Sequence, residues 1–450
     1  MDARPLLMAF LRERTQEQHT AIESSPFFAA LAAGHLPRAR YVELLRALAI
    51  VHEALEAGLS RSADPAVRAV LRPEDARLPL LLRDLRDAGF EARDVERDGG
   101  SPALLHAEVL AERIRGWADD DPAALLGCVY VMGGSVLGGP FVAAMVTRGL
   151  AAEGPVPLAY LTNDARPPGD FWRGFTDRMN AAALDPADME RAAAAAGATF
   201  EAIGEVLWSL AAGPPGDTHT GVRSLNPDAG RHPITTDLRE VRAALRAGAA
   251  SWRRNPYFER RYGDRGRRFT RSDSAWLAML TQLSDQYVQD QIAWLGRVLS
   301  ARGMPRLLLE EHLLLLHREL CAAVPERASE YGKLSIAAER LRAERLARLP
   351  EETFESLAAD FEARVRPLSN VGVGDMGRLL VAAVTDEAAG IDQAVPSLEA
   401  WAADQKLFPA PWIEAVHATL SEARRLAGAA PPAVGRPRAR RPLPASGRAR

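Results

Sequence analysis

Thr15, His19 and Glu23 follow one another at intervals of four residues, the spacing that brings side chains onto one face of a helix. On such a face the imidazole of His19 can bind a metal through one ring nitrogen while the Glu23 carboxylate holds the other. The same histidine belongs to the apolar stripe of a helix predicted over residues 6–24, so its side chain is predicted to face the core. A histidine satisfied by hydrogen bonds within the core is therefore the alternative to a metal ligand.

A second candidate is the segment VYVMGGSVLGGPFVAAMV at residues 129–146, which has no charged residue and contains two pairs of glycines. Its length approaches the roughly 20 apolar residues that cross a bilayer. Because Pro140 and the glycines interrupt it, we predict instead a buried helix whose glycines allow bending or a close approach to another group. Close packing against a neighbouring helix is the alternative use of these glycines.

Two patterns in the second half of the sequence are less specific. GVGDMG at residues 372–377 has the glycine spacing of a dinucleotide-binding loop, but no strand is predicted before it, so we interpret it as a turn between helices. RRNPYFERRYGDRGRRFTR at residues 253–271 mixes arginines with aromatic residues, a combination that binds nucleic acids or other anions. An exposed loop anchored by its aromatic residues is the interpretation that we favour for this segment.

Composition narrows the classes of function. A formal net charge of −3 argues against a chain that binds nucleic acid along its whole length. Cys128 and Cys321 lie far apart in apolar surroundings, so neither a disulfide nor a cysteine metal cluster is predicted. The first residues lack the apolar region of a signal peptide. We therefore expect a cytoplasmic protein that does not cross a membrane, with nucleic acid not expected as a partner.

The elements that must position these residues are helices. Ala, Leu, Arg and Glu dominate, and apolar residues recur at helical spacing, so the predicted fold class is all-α. We predict a helical domain over residues 1–212, a linker over 213–234, a second all-α domain over 235–426 and a disordered basic tail over 427–450.

Three segments resemble heme oxygenases of the bacterial, biliverdin-producing type associated with bacteriophytochromes. They are the Thr15–His19–Glu23 phrase with the helix that follows it, YVMGGSVLGG within residues 129–146, and residues 160–208 with their Arg178-Met179-Asn180 phrase. The resemblance covers about residues 5–212 in the order of the family, which implies a helical heme oxygenase-like domain. No family resemblance is recognised for residues 235–426.

The resemblance also implies a set of site residues. His19 corresponds to the axial ligand of the heme iron, with Glu23 as the partner of its second ring nitrogen. Other residues are implied to hold or surround the heme: Arg12, Arg173 and Arg178 for its propionates, Phe200 in the pocket, and Gly133, Gly134, Ser135, Gly138 and Gly139 on the distal side.

The activity that the resemblance implies is oxidative opening of heme to biliverdin, with heme as both substrate and cofactor, O2 as oxidant, and CO and Fe²⁺ released. Electrons come from an external donor, a ferredoxin or other reductase, and the product can serve a bilin-accepting photoreceptor. The chain departs from the family at Gly133, where related bacterial enzymes carry an acidic residue, and no acid occurs between Asp121 and Glu153. This departure keeps two alternatives open: a non-catalytic heme or tetrapyrrole sensor or carrier with a helical output domain, and an interaction scaffold without cofactor.

Overall fold

The structure, a computed structural model, describes residues 6–90, 101–150, 154–162, 167–182, 184–211, 218–230, 232–368 and 373–428. All regular elements within these ranges are helices, which confirms the predicted all-α class. The chain forms two compact units: the first comprises Met1–Arg254, Phe258–Val288 and Leu314–Leu334, and the second Asn255–Tyr257, Gln289–Leu313 and Ser335–Arg450.

The helices before Arg254 all belong to the first unit. They are α1 (Leu7–Arg14), α2 (Gln16–Glu23), α3 (Pro26–Ala32), α4 (Arg38–Arg61), α5 (Pro65–Val70), α6 (Leu78–Asp87), α7 (Pro102–Asp120), α8 (Pro122–Leu150), α9 (Ala159–Thr162), α10 (Pro168–Ala181), α11 (Pro186–Ala211), α12 (Thr218–Leu225) and α13 (Leu238–Arg254).

The remaining helices are α14 (Pro256–Leu280), α15 (Asp285–Ser300), α16 (Arg306–Ala323), α17 (Ala328–Leu346), α18 (Glu351–Val365), α19 (Met376–Ala388), α20 (Ala394–Ala402) and α21 (Ala410–Ala427). In the second unit α18, α19 and α21 pack together around the buried rings of Phe361 and Trp412, whose centroids are 5.1 Å apart.

The core of the first unit lies between α4, α7, α8 and α11. Helix α8 contributes fully buried side chains along its first half, among them Leu125, Leu126 and Cys128. At Gly127 the backbones of α8 and α11 approach so closely that a side chain would overlap the carbonyl oxygen of Ala192. The glycine-containing segment is therefore part of one long helix that is anchored in the core at its start.

Helix α8 is long and apolar enough to cross a membrane, and it is the one such helix among the described residues. Half of its most apolar 18-residue window is buried within the protein. That the chain does not cross a membrane, and that it is cytoplasmic, stay predictions.

The predicted helix over residues 6–24 is wrong in one respect, because the chain leaves helical geometry at Thr15. This residue has φ −122° and ψ 12°, and it separates α1 from α2. Its hydroxyl donates to the carbonyl oxygen of Leu11 at 2.8 Å, a local bond that competes with the regular helix. The apolar stripe of α1 consequently does not continue into α2, in which no residue is buried.

The segment predicted as a linker, residues 213–234, contains helix α12, whose Val222 and Leu225 are buried. Beyond it, the Arg242 side chain binds the fully buried carboxylate of Glu108 on α7, with Nη2 and Oε1 2.7 Å apart. The proposed domain boundaries stay a prediction, and most of the predicted basic tail, residues 429–450, lies outside the described residues.

Two further predictions are wrong in detail. The basic segment 253–271 is not a loop: its first two residues end α13, and from Pro256 it is helical in α14, with a kink at Gly263, where φ is +49°. Apolar residues at helical spacing predict a single helix over residues 396–426, but the structure has two, α20 and α21, with Pro409 as the residue before the second. The GVGDMG segment does form a turn directly before α19 over residues 373–375, while Gly372 lies outside the described residues.

Candidate functional site

His19 is exposed, which corrects the prediction that it faces the core. Its side chain, on α2, keeps 54% of its surface accessible, and its Nδ1 lies 3.6 Å from Oε1 of Glu23. The ring of Phe200, from α11, meets the imidazole edge to face with centroids 5.9 Å apart. Three of the predicted site residues are thus together, and the imidazole keeps surface for a ligand.

Tyr130 links the start of α2 to helix α8. Burial raises the pKa of Tyr130, whereas a hydrogen bond with Thr15 and the charge of Arg12 act in the opposite direction. His19 lies one helical turn after Thr15, since its amide donates to the Thr15 carbonyl oxygen at 3.0 Å. Gly134 lies one turn after Tyr130 on α8. The contact between Thr15 and Tyr130 therefore brings the segment that carries His19 beside the glycine-containing part of α8.

One side of α8 is open at this level. A Cβ atom added at Gly134 or Gly138 would meet nothing within 4 Å. Leu137 and Phe141 share this side and keep 47% and 69% of their surface exposed. Residues 134, 137, 138 and 141 recur at helical spacing, so they form one apolar stripe, which we call the open face of α8. At Gly134 and Gly138 no side chain covers the backbone, so an apolar ligand can approach it closely there.

Gly133 and Gly139 serve the alternative role, close packing. A Cβ added at Gly133 would lie 2.9 Å from Cζ of the buried Phe175 ring, on α10. A Cβ at Gly139 would overlap the carbonyl oxygen of Leu161. These two glycines, predicted on the distal wall of a heme site, are packed against protein. Each glycine pair of the sequence therefore has one member packed against protein and one member on the open face of α8.

The three predicted arginines differ in their surroundings. Arg178 pairs with the fully buried carboxylate of Asp75 and donates through Nε to the carbonyl oxygen of Val70 at 2.8 Å. Arg173 is 79% exposed and pairs with Asp170 on its own helix. Arg12 is exposed, and its charge reaches Tyr130. Two of the three guanidinium nitrogens of Arg178 are thus already engaged within the protein.

The rest of the Arg178-Met179-Asn180 phrase also has structural partners. Met179 is fully buried, and the side-chain oxygen of Asn180 accepts a hydrogen bond from the Met8 amide at 3.0 Å. The phrase therefore fastens α10 to α1 and to the chain around Asp75.

A buried polar cluster, which sequence reasoning did not identify, lies beside the open face. The Ser135 hydroxyl lies 3.4 Å from that of Tyr160, and the Tyr160 hydroxyl lies 3.2 Å from Nε2 of His52. On the other side of the imidazole, Nδ1 of His52 lies 3.3 Å from Oε1 of Glu56. The signal within the sequence was the four-residue spacing of His52 and Glu56, which repeats that of His19 and Glu23.

The protein environment sets the charge states of this cluster. Burial lowers the pKa of His52, although the hydrogen bond and charge of Glu56 act in the opposite direction. Burial would raise the pKa of Glu56, but hydrogen bonds from His52 and from the amides of Arg77 and Leu78 outweigh it and lower that pKa. Burial raises the pKa of Tyr160. The cluster therefore holds a carboxylate, a neutral imidazole and a phenol at neutral pH.

With this geometry in place, the chain can be compared with known proteins. The heme oxygenase family model matches residues 6–208. A heme oxygenase from Leptospira interrogans is similar at 22% identity and a TM-score of 0.41, over 45% of this chain and 99% of that one. Among curated proteins, none matches this chain.

Two further solved structures come from the cyanobacterium Synechocystis. Heme oxygenase-1 in complex with heme is 21% identical with a TM-score of 0.41, over 45% of this chain and 91% of that one. Heme oxygenase-2 in complex with heme and NO is 23% identical with a TM-score of 0.40, over 46% of this chain and 85% of that one. On the match of its own sequence to the family model, the part of this chain over residues 6–208 belongs to the heme oxygenase family.

Proposed function

We propose that the first unit binds heme through His19 and opens it to biliverdin, with consumption of O2 and release of CO and Fe²⁺. The observation that carries the proposal is the exposed His19 imidazole, with Phe200 beside it, in a chain segment whose Thr15 contacts Tyr130, one turn before Gly134 of the open face. Membership of the heme oxygenase family over residues 6–208 supports the same conclusion.

Each residue has a definite task in this proposal. His19 would hold the iron through Nε2, and the Glu23 carboxylate, 3.6 Å from Nδ1, is placed to fix the tautomer once a small rotation brings it within hydrogen-bond distance. Gly134 and Gly138 let the macrocycle approach the α8 backbone, and Leu137 and Phe141 cover its apolar surface. Heme supplies the oxygen-activating chemistry when it is bound.

The reaction also needs partners outside the chain. Ring opening consumes electrons, so we propose an external donor of the ferredoxin or reductase class. Arg12 and Arg173, both exposed, are the arginines whose side chains can turn toward heme propionates at low cost. The biliverdin product would be available to a bilin-accepting photoreceptor.

A hemin titration tests the proposal. The wild-type protein should give a ferric Soret band at one hemin per chain, and His19→Ala should shift this band and weaken binding. His35→Ala, at another exposed histidine, is the matched control and should bind as the wild type does. Reduction with ascorbate or a reductase should then replace the Soret band by the absorbance of biliverdin. No hemin binding by the wild type would contradict the proposal and favour a scaffold without cofactor.

Gly133 favours a second candidate function, a non-catalytic heme or tetrapyrrole sensor or carrier. Phe175 fills the space beside this residue, so the α8 backbone offers no room there for the acidic side chain of the related enzymes. A protein that binds hemin through His19 and leaves the ring intact under reducing conditions would support this second function over the first.

A further inference from the structure

We propose that Ser135, Tyr160, His52 and Glu56 form a proton relay that delivers protons to the open face of α8. This inference rests on the proposed heme-opening function, and it assigns the proton supply of a chain that lacks an acidic residue on this helix. The carboxylate of this relay, Glu56, lies inside the protein and not at the open face. It acts through the His52 imidazole and the hydroxyls of Tyr160 and Ser135.

The argument begins at the open face. Ser135 follows Gly134 directly and precedes Gly138 by one turn, so its exposed side chain borders the face where nothing meets an added Cβ. Its hydroxyl donates to the Met132 carbonyl oxygen at 2.7 Å and can rotate toward the Tyr160 hydroxyl at 3.4 Å. Ser135 therefore has contact with both the ligand side and the protein interior.

The interior part of the relay is held rigidly. Tyr160 is 3% exposed, and its amide and that of Ala159 both donate to the buried Asp84 carboxylate at 2.7 Å. The Arg77 guanidinium lies over the Tyr160 ring, 4.8 Å from its centroid. Tyr160 consequently cannot turn away from His52.

Glu56 fixes the orientation of the imidazole. Its carboxylate accepts from the amides of Arg77 and Leu78 at 2.8 and 2.9 Å, so it is positioned before it binds His52. With Nδ1 of His52 donating to Glu56, Nε2 is free to exchange a proton with the Tyr160 hydroxyl. The groups that face His52 are thus Glu56 from α4, Arg77 from the chain before α6, and Tyr160 from α9.

The proton balance closes with solvent as the source of the proton, which reaches the pair at the Glu56 side chain, 15% exposed. A proton taken up by the pair of His52 and Glu56 leaves Nε2 for the Tyr160 oxygen as the Tyr160 proton passes to Ser135. The Ser135 proton passes to the acceptor at the open face. Each hydroxyl gains one proton and loses one, so the net change is transfer of one proton from the pair to the acceptor.

Tyr160→Phe tests the relay because it removes one oxygen atom and keeps the ring beneath Arg77. The variant should bind hemin with wild-type affinity and open the ring on the order of 100-fold more slowly. Tyr41→Phe is the matched control: Tyr41 is equally buried, but its hydroxyl donates to the Pro157 carbonyl oxygen at 2.7 Å and lies outside the relay. Thermal unfolding of both variants establishes that each is folded.

The pH dependence of the ring-opening rate distinguishes a proton relay from a purely structural role of these four residues. The rate of ring opening by the wild type should rise only as the pH falls well below 6.5, because burial lowers the pKa of His52 and the His52–Glu56 pair must be protonated to supply the relay. His52→Gln keeps a hydrogen-bonding side chain that does not titrate, so its slower rate should not rise in this way.

An independent readout needs no turnover. Nitrogen NMR of labelled histidine in the protein without hemin should show His52 protonated at Nδ1, and Tyr160→Phe, but not Tyr41→Phe, should shift its Nε2 signal. An unchanged Nε2 signal, or ring opening by Tyr160→Phe at the wild-type rate, would overturn the relay alone. Failure of the wild type to bind or open heme would overturn the proposed function instead.

Discussion

His106, on α7, is a partly buried imidazole that couples stability to pH. Burial lowers its pKa to about 4 from the value of 6.5 that it has in an unfolded chain. Below pH 6.5 the unfolded state takes up a proton that the folded state refuses, so stability is lost as the pH falls from 6.5 towards 4. We expect a loss on the order of 2–3 kcal/mol from this residue across that range.

Urea unfolding followed by circular dichroism at a series of pH values measures this loss. His106→Gln should flatten the dependence, because glutamine does not titrate. His417→Gln, at a residue whose side chain is 55% exposed, is the control and should leave the dependence as it is in the wild type. An equal slope in both variants would contradict the assignment to His106.

The two cysteines should differ in reactivity. Cys128 is fully buried, and burial raises the pKa of its thiol to about 12. Cys321 is partly accessible. We expect a thiol-specific reagent to modify Cys321 first in the native protein and Cys128 only on unfolding. Mass spectrometry of the labelled peptides measures the order, and Cys321→Ser should abolish the fast phase.

At the residue scale, the spacing of residues in the sequence predicted which histidine and glutamate pair, but not whether each pair is buried or which other residues it contacts. The four-residue intervals of His19–Glu23 and His52–Glu56 are readable from the sequence, and in the structure the members of each pair do lie near one another. Which histidine is exposed depends on the break at Thr15, where a hydroxyl competes with helix bonding. The partner of His52 could not be predicted, because Tyr160 lies 108 residues further along the chain.

At the scale of a helix, α8 allows the two functions of its glycines to be separated. Gly138→Ala should stabilise the protein by up to about 1 kcal/mol, because alanine favours the helix and its methyl group meets nothing. Gly139→Ala should destabilise it by about 1–3 kcal/mol, because the methyl group overlaps the Leu161 carbonyl oxygen. Urea unfolding of the two variants measures the contrast.

The open face can be tested with a larger side chain at the same position. Gly138→Leu should leave the fold intact and weaken hemin binding by about tenfold or more, about 1.4 kcal/mol, because leucine occupies the space above the backbone. Leu314→Ala, at an exposed leucine on α16, is a control for changes of surface apolarity. Undiminished hemin binding by Gly138→Leu would contradict the role of this face.

Helix positions followed from the sequence wherever an apolar period had a clear end. The helical spacing of the apolar residues between Tyr41 and Leu59 predicts a helix over about residues 38–61, and the structure has it from Arg38 to Arg61. The glycine pairs, by contrast, could not be sorted in advance, because the partners Phe175 and Leu161 come from segments distant in the sequence.

At the scale of the molecule, the first unit extends beyond the residues that match the family. The Glu108 side chain, fully buried on α7, has its charge paired by Arg242 on α13. Arg242→Met should leave a buried unpaired carboxylate and destabilise the protein by about 3 kcal/mol or more. Combining it with Glu108→Met should restore most of this loss, since neither charge then remains.

Thermal unfolding of the two single variants and the double variant gives the coupling energy between the residues. A double variant as unstable as the sum of the single ones would show that the pair contributes nothing as a pair. The sequence could not have predicted this contact. Residues 213–234, which precede Arg242, are rich in Pro and Gly and have the composition of a linker, so the sequence predicts that α13 belongs to another domain than Glu108.

The contact between Gly133 and Phe175 constrains which side chains position 133 can accept. A single change to an acid at position 133 meets a ring that already lies 2.9 Å from where its first carbon would be. Replacing Phe175 alone by a smaller residue would leave a cavity at a fully buried position. Each step is unfavourable without the other, so the two positions are epistatic, and a laboratory evolution experiment should recover the acid only with a smaller residue at 175.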